Sequence, residues 1–290
     1  EDELYGVPFD SGVAALFYRT DYLSEIGYTE EDMQDLTWEE YLSLGEQLKT
    51  KGHMLQTYNP NDIAEFQIML QSAGKWFTNE KGEADFIDNA ALEECYSIFK
   101  QLNEADYTKV VSDWTEFAGA INSGEVACVL RGCWMTSTLM AEESQSGKWA
   151  LAPIPKMNAE GATHYSNQGG SSWFVLNDSP NSEIAADFLA KTFGSSTELY
   201  NTLLKEKSII GTFLPATDVE AYEETSEFFS NQQVNKLLGD WMTKIPAVDT
   251  GAFSAEAQNS LVSVTPAILE GGDLAENLAT AEEQFKQSIQ

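Results

Sequence analysis

Trp134 ends the run VACVLRGCW, where an apolar segment meets a Gly-x-Trp turn. A tryptophan there serves either as a flat platform for a ligand or as a core residue whose indole N–H is satisfied internally. The first role suits carbohydrates, which offer C–H faces to an aromatic ring and hydroxyls to carboxylates and amides. Seven Trp, eleven Tyr and 47 acidic residues supply that chemistry. Further candidates are spread along the chain. Arg131 either pairs with a carboxylate or reaches a ligand, and Asp62 and Glu65 either meet hydroxyls or charge a solvated helix start. Trp76, just past Gly74, and Trp114, at the head of a helical pattern, either line a cleft or pack locally. Gly169 and Gly170, leading into Ser171, Ser172 and Trp173, allow close backbone approach to a ligand or serve only a chain crossing. Asp10 and Ser11 either meet hydroxyls or cap a turn.

Other chemistries are poorly supplied. There is no G-x-S-x-G, P-loop, G-x-G-x-x-G or H-E-x-x-H pattern. His53 and His164 are the only histidines, so histidine acid–base work is scarce. Carboxylate pairs at glycosidase spacing are always available in so acidic a chain, which leaves a glycoside hydrolase as the enzymatic alternative. The expectation is a binding protein without catalytic residues or cofactor. Cys95, Cys128 and Cys133 are odd in number and lack zinc-type pairing, so no metal site is expected. Cys128 and Cys133 bridge only if their turn brings the Cα atoms together, and free thiols are expected. A formal net charge of -31 repels nucleic-acid phosphates and anionic headgroups, and otherwise favours solubility. No stretch approaches the roughly 18 apolar residues of a membrane span. Glu1 to Leu4 are acidic where an export leader is basic, although a processed mature chain also lacks one.

The elements that must position these residues alternate. Residues 5–23, YGVPFDSGVAALFYRTDYL, read as an extended segment feeding a buried strand. Thr37 with Glu40 forms a capping box, predicting a helix over 38–50. Apolar spacing predicts further helices near 62–73, 89–104 after a cap at Asp88, 114–122, 181–193, 196–205, 231–243, 255–270 and 273–288. VACVLR (126–131), ALAPIP (150–155) and SWFVLN (172–177) read as strands. The alternation indicates an α/β class with helices on sheet faces.

In this order the segments resemble the family 1 extracellular solute-binding proteins of ABC sugar importers, the maltose-binding-protein-like group. YGVPFDSGVAALFYRTDYL is similar to that family's crossover segment and TWEEYLSLGEQLKTKG to the helix after it. AGKWFTNEKGEADFIDNAALEECYSIFKQL resembles its glycine turn and next helix, and GGSSWFVLNDSPNSEIAADFLAKTF its return to the other lobe. The most specific stretch is WTEFAGAINSGEVACVLRGCW, a helix, turn and strand ending at Gly-x-Trp.

The resemblance implies a type II periplasmic-binding-protein fold: two α/β lobes, hinge strands and a cleft that closes on ligand. It implies a carbohydrate ligand, membrane permease subunits of an ABC transporter as partners, and an extracellular or periplasmic place, with a lipoprotein anchor in some members. Trp134 becomes a stacking platform, with Trp76, Trp114, Arg131, Asp62, Glu65, Asp10, Gly170, Ser171 and Trp173 as further ligand contacts. The family also carries about a hundred residues ahead of the crossover segment, so the first lobe is expected to be incomplete here. Residues 1–12 and 169–222 would be its remnant, and 13–168 with 223–290 the second lobe. The remnant is expected to expose sheet edges and apolar helix faces, to pack poorly or be covered by another copy, and to leave ligand binding weak. A receptor for a polyamine, peptide or metal, and a structural adhesin without a cleft, are the alternatives.

Overall fold

The computed structural model describes residues 5–290; Glu1 to Leu4, with the leader call made on them, lie outside the described residues. The order begins β1 (Val7–Arg19), α1 (Thr20–Ser24), α2 (Trp38–Thr50), β2 (Gln56–Tyr58), α3 (Ala64–Ser72), α4 (Ala90–Glu104) and β3 (Thr108–Val110). It continues α5 (Trp114–Asn122), β4 (Cys128–Gly132), α6 (Met135–Met140), β5 (Trp149–Ala152) and β6 (Asn167–Trp173). Five helices follow: α7 (Ser182–Lys191), α8 (Thr197–Lys207), α9 (Val234–Met242), α10 (Ser254–Leu269) and α11 (Leu274–Ser288).

The long strand β1 organises the molecule. Its C-terminal half lies between β4 and β5, antiparallel to both, with Leu16 opposite Leu130 on one side and Ala152 on the other. Strand alternation sends Ala14, Leu16 and Tyr18 into a core shared with α2, α3, α4, α10 and α11. Val13, Ala15 and Phe17 point the other way, into a core shared with α5, α6 and α9. A strand buried on both faces must be apolar throughout, which is why VAALFY shows no polar alternation. The N-terminal half of β1 pairs instead with β6, from Val7 opposite Trp173 to Val13 opposite Asn167, with irregularities on either side of Asp10 and Ser11. One strand therefore leaves one set of neighbours and enters another at residues 11–14.

Local chemistry sets the helix starts. Thr37 accepts from the Glu40 amide at 3.2 Å, and the Glu40 carboxylate accepts from the Thr37 amide at 2.8 Å, closing the capping box of α2. The helix expected from residue 62 starts at Ala64, because Asp62 Oδ1 accepts from the Ala64 amide at 2.9 Å and holds a turn. The cap of α4 is Asn89, whose side chain accepts from Leu92, while Asp88 takes a left-handed φ of 58°. Val126 and Ala127 precede β4 rather than opening it, and β5 ends at Ala152, before Pro153.

The strand expected at 172–177 is corrected to Asn167–Trp173. Among the described residues β1 begins at Val7, opposite Trp173, and no strand pairs with the chain beyond Trp173. Phe174 and Leu176 stand exposed there, as do Ile184 and Phe188 of α7, a helix with no buried residue. What packing exists in this region is aromatic: Phe193 lies 5.2 Å from both Phe9 and Trp173, and Tyr200 stacks on Phe213 at 5.9 Å.

Candidate functional site

A cleft of about 240 Å³ opens where α5, β4, the start of α6 and the start of β6 meet. Its floor is aromatic. Asp113 caps α5 by accepting from the Glu116 amide at 2.9 Å, which places Trp114 at the helix head and Phe117 three residues on, along one face. The two rings lie 5.2 Å apart, and Trp114 continues to Trp134 at 5.8 Å and 49°. Trp114 is 53% exposed and Trp134 40%, an uncommon outlay of large aromatic surface to water.

Trp134 combines an internally satisfied indole N–H with an open ring face. Its indole Nε1 donates to the Gln168 backbone carbonyl at 3.2 Å, while its ring lines the open cleft. Gly132 makes that posture accessible. A Cβ there would lie 2.5 Å from Trp134 Nε1 and 2.6 Å from Gln168 O, so only glycine lets the indole fold back over the strand end. The Gly132 amide in turn donates to Gln168 Oε1 at 2.9 Å. Gln168 thus pins the tryptophan platform to β6 with its backbone and its side chain.

Beneath this floor lies a buried charge cluster. Arg131 Nη1 is 2.5 Å from Glu65 Oε1 and also donates to the Leu130 carbonyl at 3.0 Å, and Nη2 lies 3.5 Å from Asp62 Oδ2. The guanidinium sits 5.0 Å from the Phe117 ring centre, and its side chain is 5% exposed. Arg131 thus has the carboxylate partner that one of its two readings expected, and it also lines the cleft. Glu65, for which a solvated helix face was one expectation, is buried. Burial raises its carboxyl above the ordinary range, the Arg131 charge pulls it back, and Asp62 adds a smaller upward push. Asp62 and Asp113, half-exposed and exposed, form the polar rim.

The remaining candidates lie elsewhere. Trp76 donates to Ser254 Oγ at 2.8 Å and packs on Phe77, away from this cleft. Trp173 belongs to the aromatic group around Phe9. Gly170 and Ser171 oppose Ser11 and Asp10 in the β1–β6 ladder, and a Gly170 Cβ would fall 2.9 Å from the Asp10 carbonyl, so the glycine with φ 94° serves the crossing itself. Asp10 keeps Oδ1 buried without a hydrogen-bond partner at the same crossing. Sequence reasoning passed over Gln168, Asn59, Asp113 and Phe117, which all line the cleft. Asp113 was findable as the head of a D-x-x-E capping signature; Gln168 carried no local signal.

The three cysteines, Cys95, Cys128 and Cys133, lie outside the cleft lining. All three are free and buried, and burial pushes the Cys128 and Cys133 thiols up to about 12, far from the thiolate form. Among the described residues no group of His, Cys, Asp and Glu is arranged to hold a metal, and no helix is long and apolar enough to cross a membrane.

Comparison with known proteins gives this site its setting. The chain is 40% identical over 291 residues to a lactose-binding protein of Rhizobium radiobacter, covering all of this chain and 69% of that protein. It is 24% identical over 274 residues to an arabinooligosaccharide-binding protein of Halalkalibacterium halodurans, covering 89% of this chain and 59% of that one. A crystal structure of an extracellular solute-binding protein of family 1 superposes with a TM-score of 0.82 at 16% identity, over 99% of this chain and 74% of the other, which places the fold among the two-lobed binding proteins. The family model described as bacterial extracellular solute-binding protein matches residues 1–235, and the chain belongs to that family.

Proposed function

We propose that this chain is the sugar-binding component of an ABC importer, taking up a carbohydrate outside the cell and delivering it to permease subunits in the membrane. The observation that carries the reading is the pair of open tryptophan faces, Trp114 and Trp134, set over a cleft rimmed by Asp62 and Asp113. Aromatic planes bind the C–H faces of a pyranose or furanose, and carboxylate oxygens accept from its hydroxyls. The relatives named for lactose and arabinooligosaccharides point to the same ligand class. The proposal includes a binding role without catalysis and a lipoprotein anchor at the cell surface.

In mechanism, the sugar settles first on the aromatic floor. The irregular β1–β6 pairing at Asp10 to Val13, with Gly170 opposite Ser11, is the proposed hinge, across which the β6–α7 region moves against the β4–β1–β5 sheet, while Leu204, Ile210, Ala221 and Tyr222 stay with the core of Val13 and Phe17. Ligand bound in the cleft then shifts the population toward the closed form that the permease accepts. The test is a tryptophan-fluorescence and calorimetric titration of the chain with lactose and arabinooligosaccharides up to millimolar concentration. Saturable binding that Trp134→Ala weakens about tenfold or more is expected from the loss of one stacking face. Absence of saturable binding by any saccharide would overturn the assignment.

Carboxylates beside tryptophans also suit an ammonium group, so a polyamine is the second reading. Spermidine in the same titration separates the two, since only a polyamine receptor saturates with it at concentrations where the sugars do nothing.

A further inference from the structure

We infer that the cleft accepts uncharged saccharides and discriminates against those carrying a carboxylate or sulfate; this rests on the saccharide reading above and narrows its ligand class. An arginine in a sugar site ordinarily invites the opposite conclusion, because a guanidinium fork matches a uronate carboxylate. Here the fork is already engaged. Arg131 Nη1 is held by Glu65 and the Leu130 carbonyl, Nη2 faces Asp62, and the ring of Phe117 lies beside the guanidinium. With its side chain 5% exposed and Glu65 at 8%, the pair has little room for a third charged partner. A ligand carboxylate could displace Glu65 only by leaving that side chain buried without its cation, which is strongly unfavourable.

What the cleft offers an incoming ligand is therefore the neutral amides of Asn59 and Gln168 and the charged rim of Asp62 and Asp113. Asp62 Oδ1 and Asp113 Oδ1 are engaged by the Ala64 and Glu116 amides, so both side chains are fixed in place as carboxylates at the edge of the cleft. Three carboxylates stand against one guanidinium within the site, and the chain as a whole carries -31. The distant charges are screened over about 8 Å at physiological ionic strength, whereas the rim carboxylates act inside that distance on a bound anion. Hydroxyl donors satisfy these oxygens; a ligand carboxylate has only acceptors to present.

The test is calorimetric titration in physiological salt with matched pairs that differ only in the oxidation of CH2OH to carboxylate, for example galactobiose and digalacturonate, across a panel of linkages. In each pair that binds, the neutral member is expected to bind at least about tenfold tighter, a difference of about 1.4 kcal/mol. Asp62→Asn and Asp113→Asn, which keep the amide-accepting oxygen at both helix starts, are expected to narrow the gap. Glu65→Gln, which frees the Arg131 fork, is expected to raise uronate affinity selectively. Uronates binding as tightly as their neutral partners, or a gap unmoved by both Asn variants, would overturn the inference and leave the saccharide reading intact. Binding of neither member of any pair would overturn the saccharide reading and the inference with it.

Discussion

Trp134 divides its labour between two surfaces: the N–H is spent on the Gln168 carbonyl and the ring is left to the cleft. The two parts are separable. Trp134→Phe keeps an aromatic face but loses the hydrogen bond, so the ring loses its tether to β6; affinity is expected to fall less than in Trp134→Ala, with a larger spread of ring orientation seen as a lower aromatic order parameter by NMR. Equal loss in both variants would count against the division. The Arg131–Glu65 pair is the other residue-scale feature with a readable consequence. Because burial raises the Glu65 pKa in the folded state, this residue binds its proton more tightly folded than unfolded. Its contribution to stability is full below the ordinary carboxylate range and declines as pH rises through the raised folded value. Unfolding free energies measured by urea titration from acid to neutral pH are expected to fall more steeply with pH for the parent than for Glu65→Gln. Glu65→Ala at neutral pH leaves a buried guanidinium short of its main partner and is expected to cost about 3 kcal/mol. Neither the pairing nor its burial was legible locally: residues 65 and 131 lie on different elements, and a glutamate in the first turn of a helix more often faces water.

At the scale of elements, sequence pattern and structure agree where the chemistry is local. The capping box of α2, the helical spacing of α4 and α10, and the apolar run of β1 are each decided by residues a few positions apart. Thr37→Ala removes the hydroxyl that accepts from Glu40 and is expected to lower stability by about 1 kcal/mol in denaturant titration. The two Thr37 hydrogen bonds also hold the Glu40 carboxyl below its usual range. That gives the cap a pH sign opposite to Glu65: its contribution is present above the ordinary carboxylate value and is lost as pH falls through the depressed one. Elements whose limits depend on a partner strand were less legible. SWFVLN has strand composition, but among the described residues β1 begins at Val7 and the ladder stops at its partner Trp173. The short α6 after Trp134 and the three-residue β2 and β3 carry too few residues to show a period.

At the scale of the molecule, the described chain is unevenly packed. Sheet and helices around β4, β1 and β5 bury two continuous cores, whereas Phe174 and Leu176 after β6 and Ile184 and Phe188 on α7 are each exposed. Exposed apolar residues of this density bind hydrophobic dyes and favour association. Replacing Ile184 and Phe188, one turn apart on α7, by Lys together is expected to reduce dye fluorescence by at least about half. Because both side chains are exposed, the change in unfolding midpoint should stay small, within about 0.5 kcal/mol for each surface site. Undiminished dye binding would place the sticky surface elsewhere.

The sequence by itself determined the α/β class, the capping box of α2, the buried strand feeding through residues 13–18 and the Gly-x-Trp turn, because propensity, capping and period act over a few residues. The order of those segments also carried the family. Only the tertiary structure decided which candidates share a cleft. It joined Trp114 to Trp134 and Arg131 to Glu65 and Asp62, brought in Gln168, and placed Trp76, Gly170 and Trp173 outside that cleft. The physical reason is that a site is a set of long-range contacts. Which faces meet across elements depends on strand register and helix docking, and a residue's burial and charge environment follow from that meeting rather than from its neighbours in sequence.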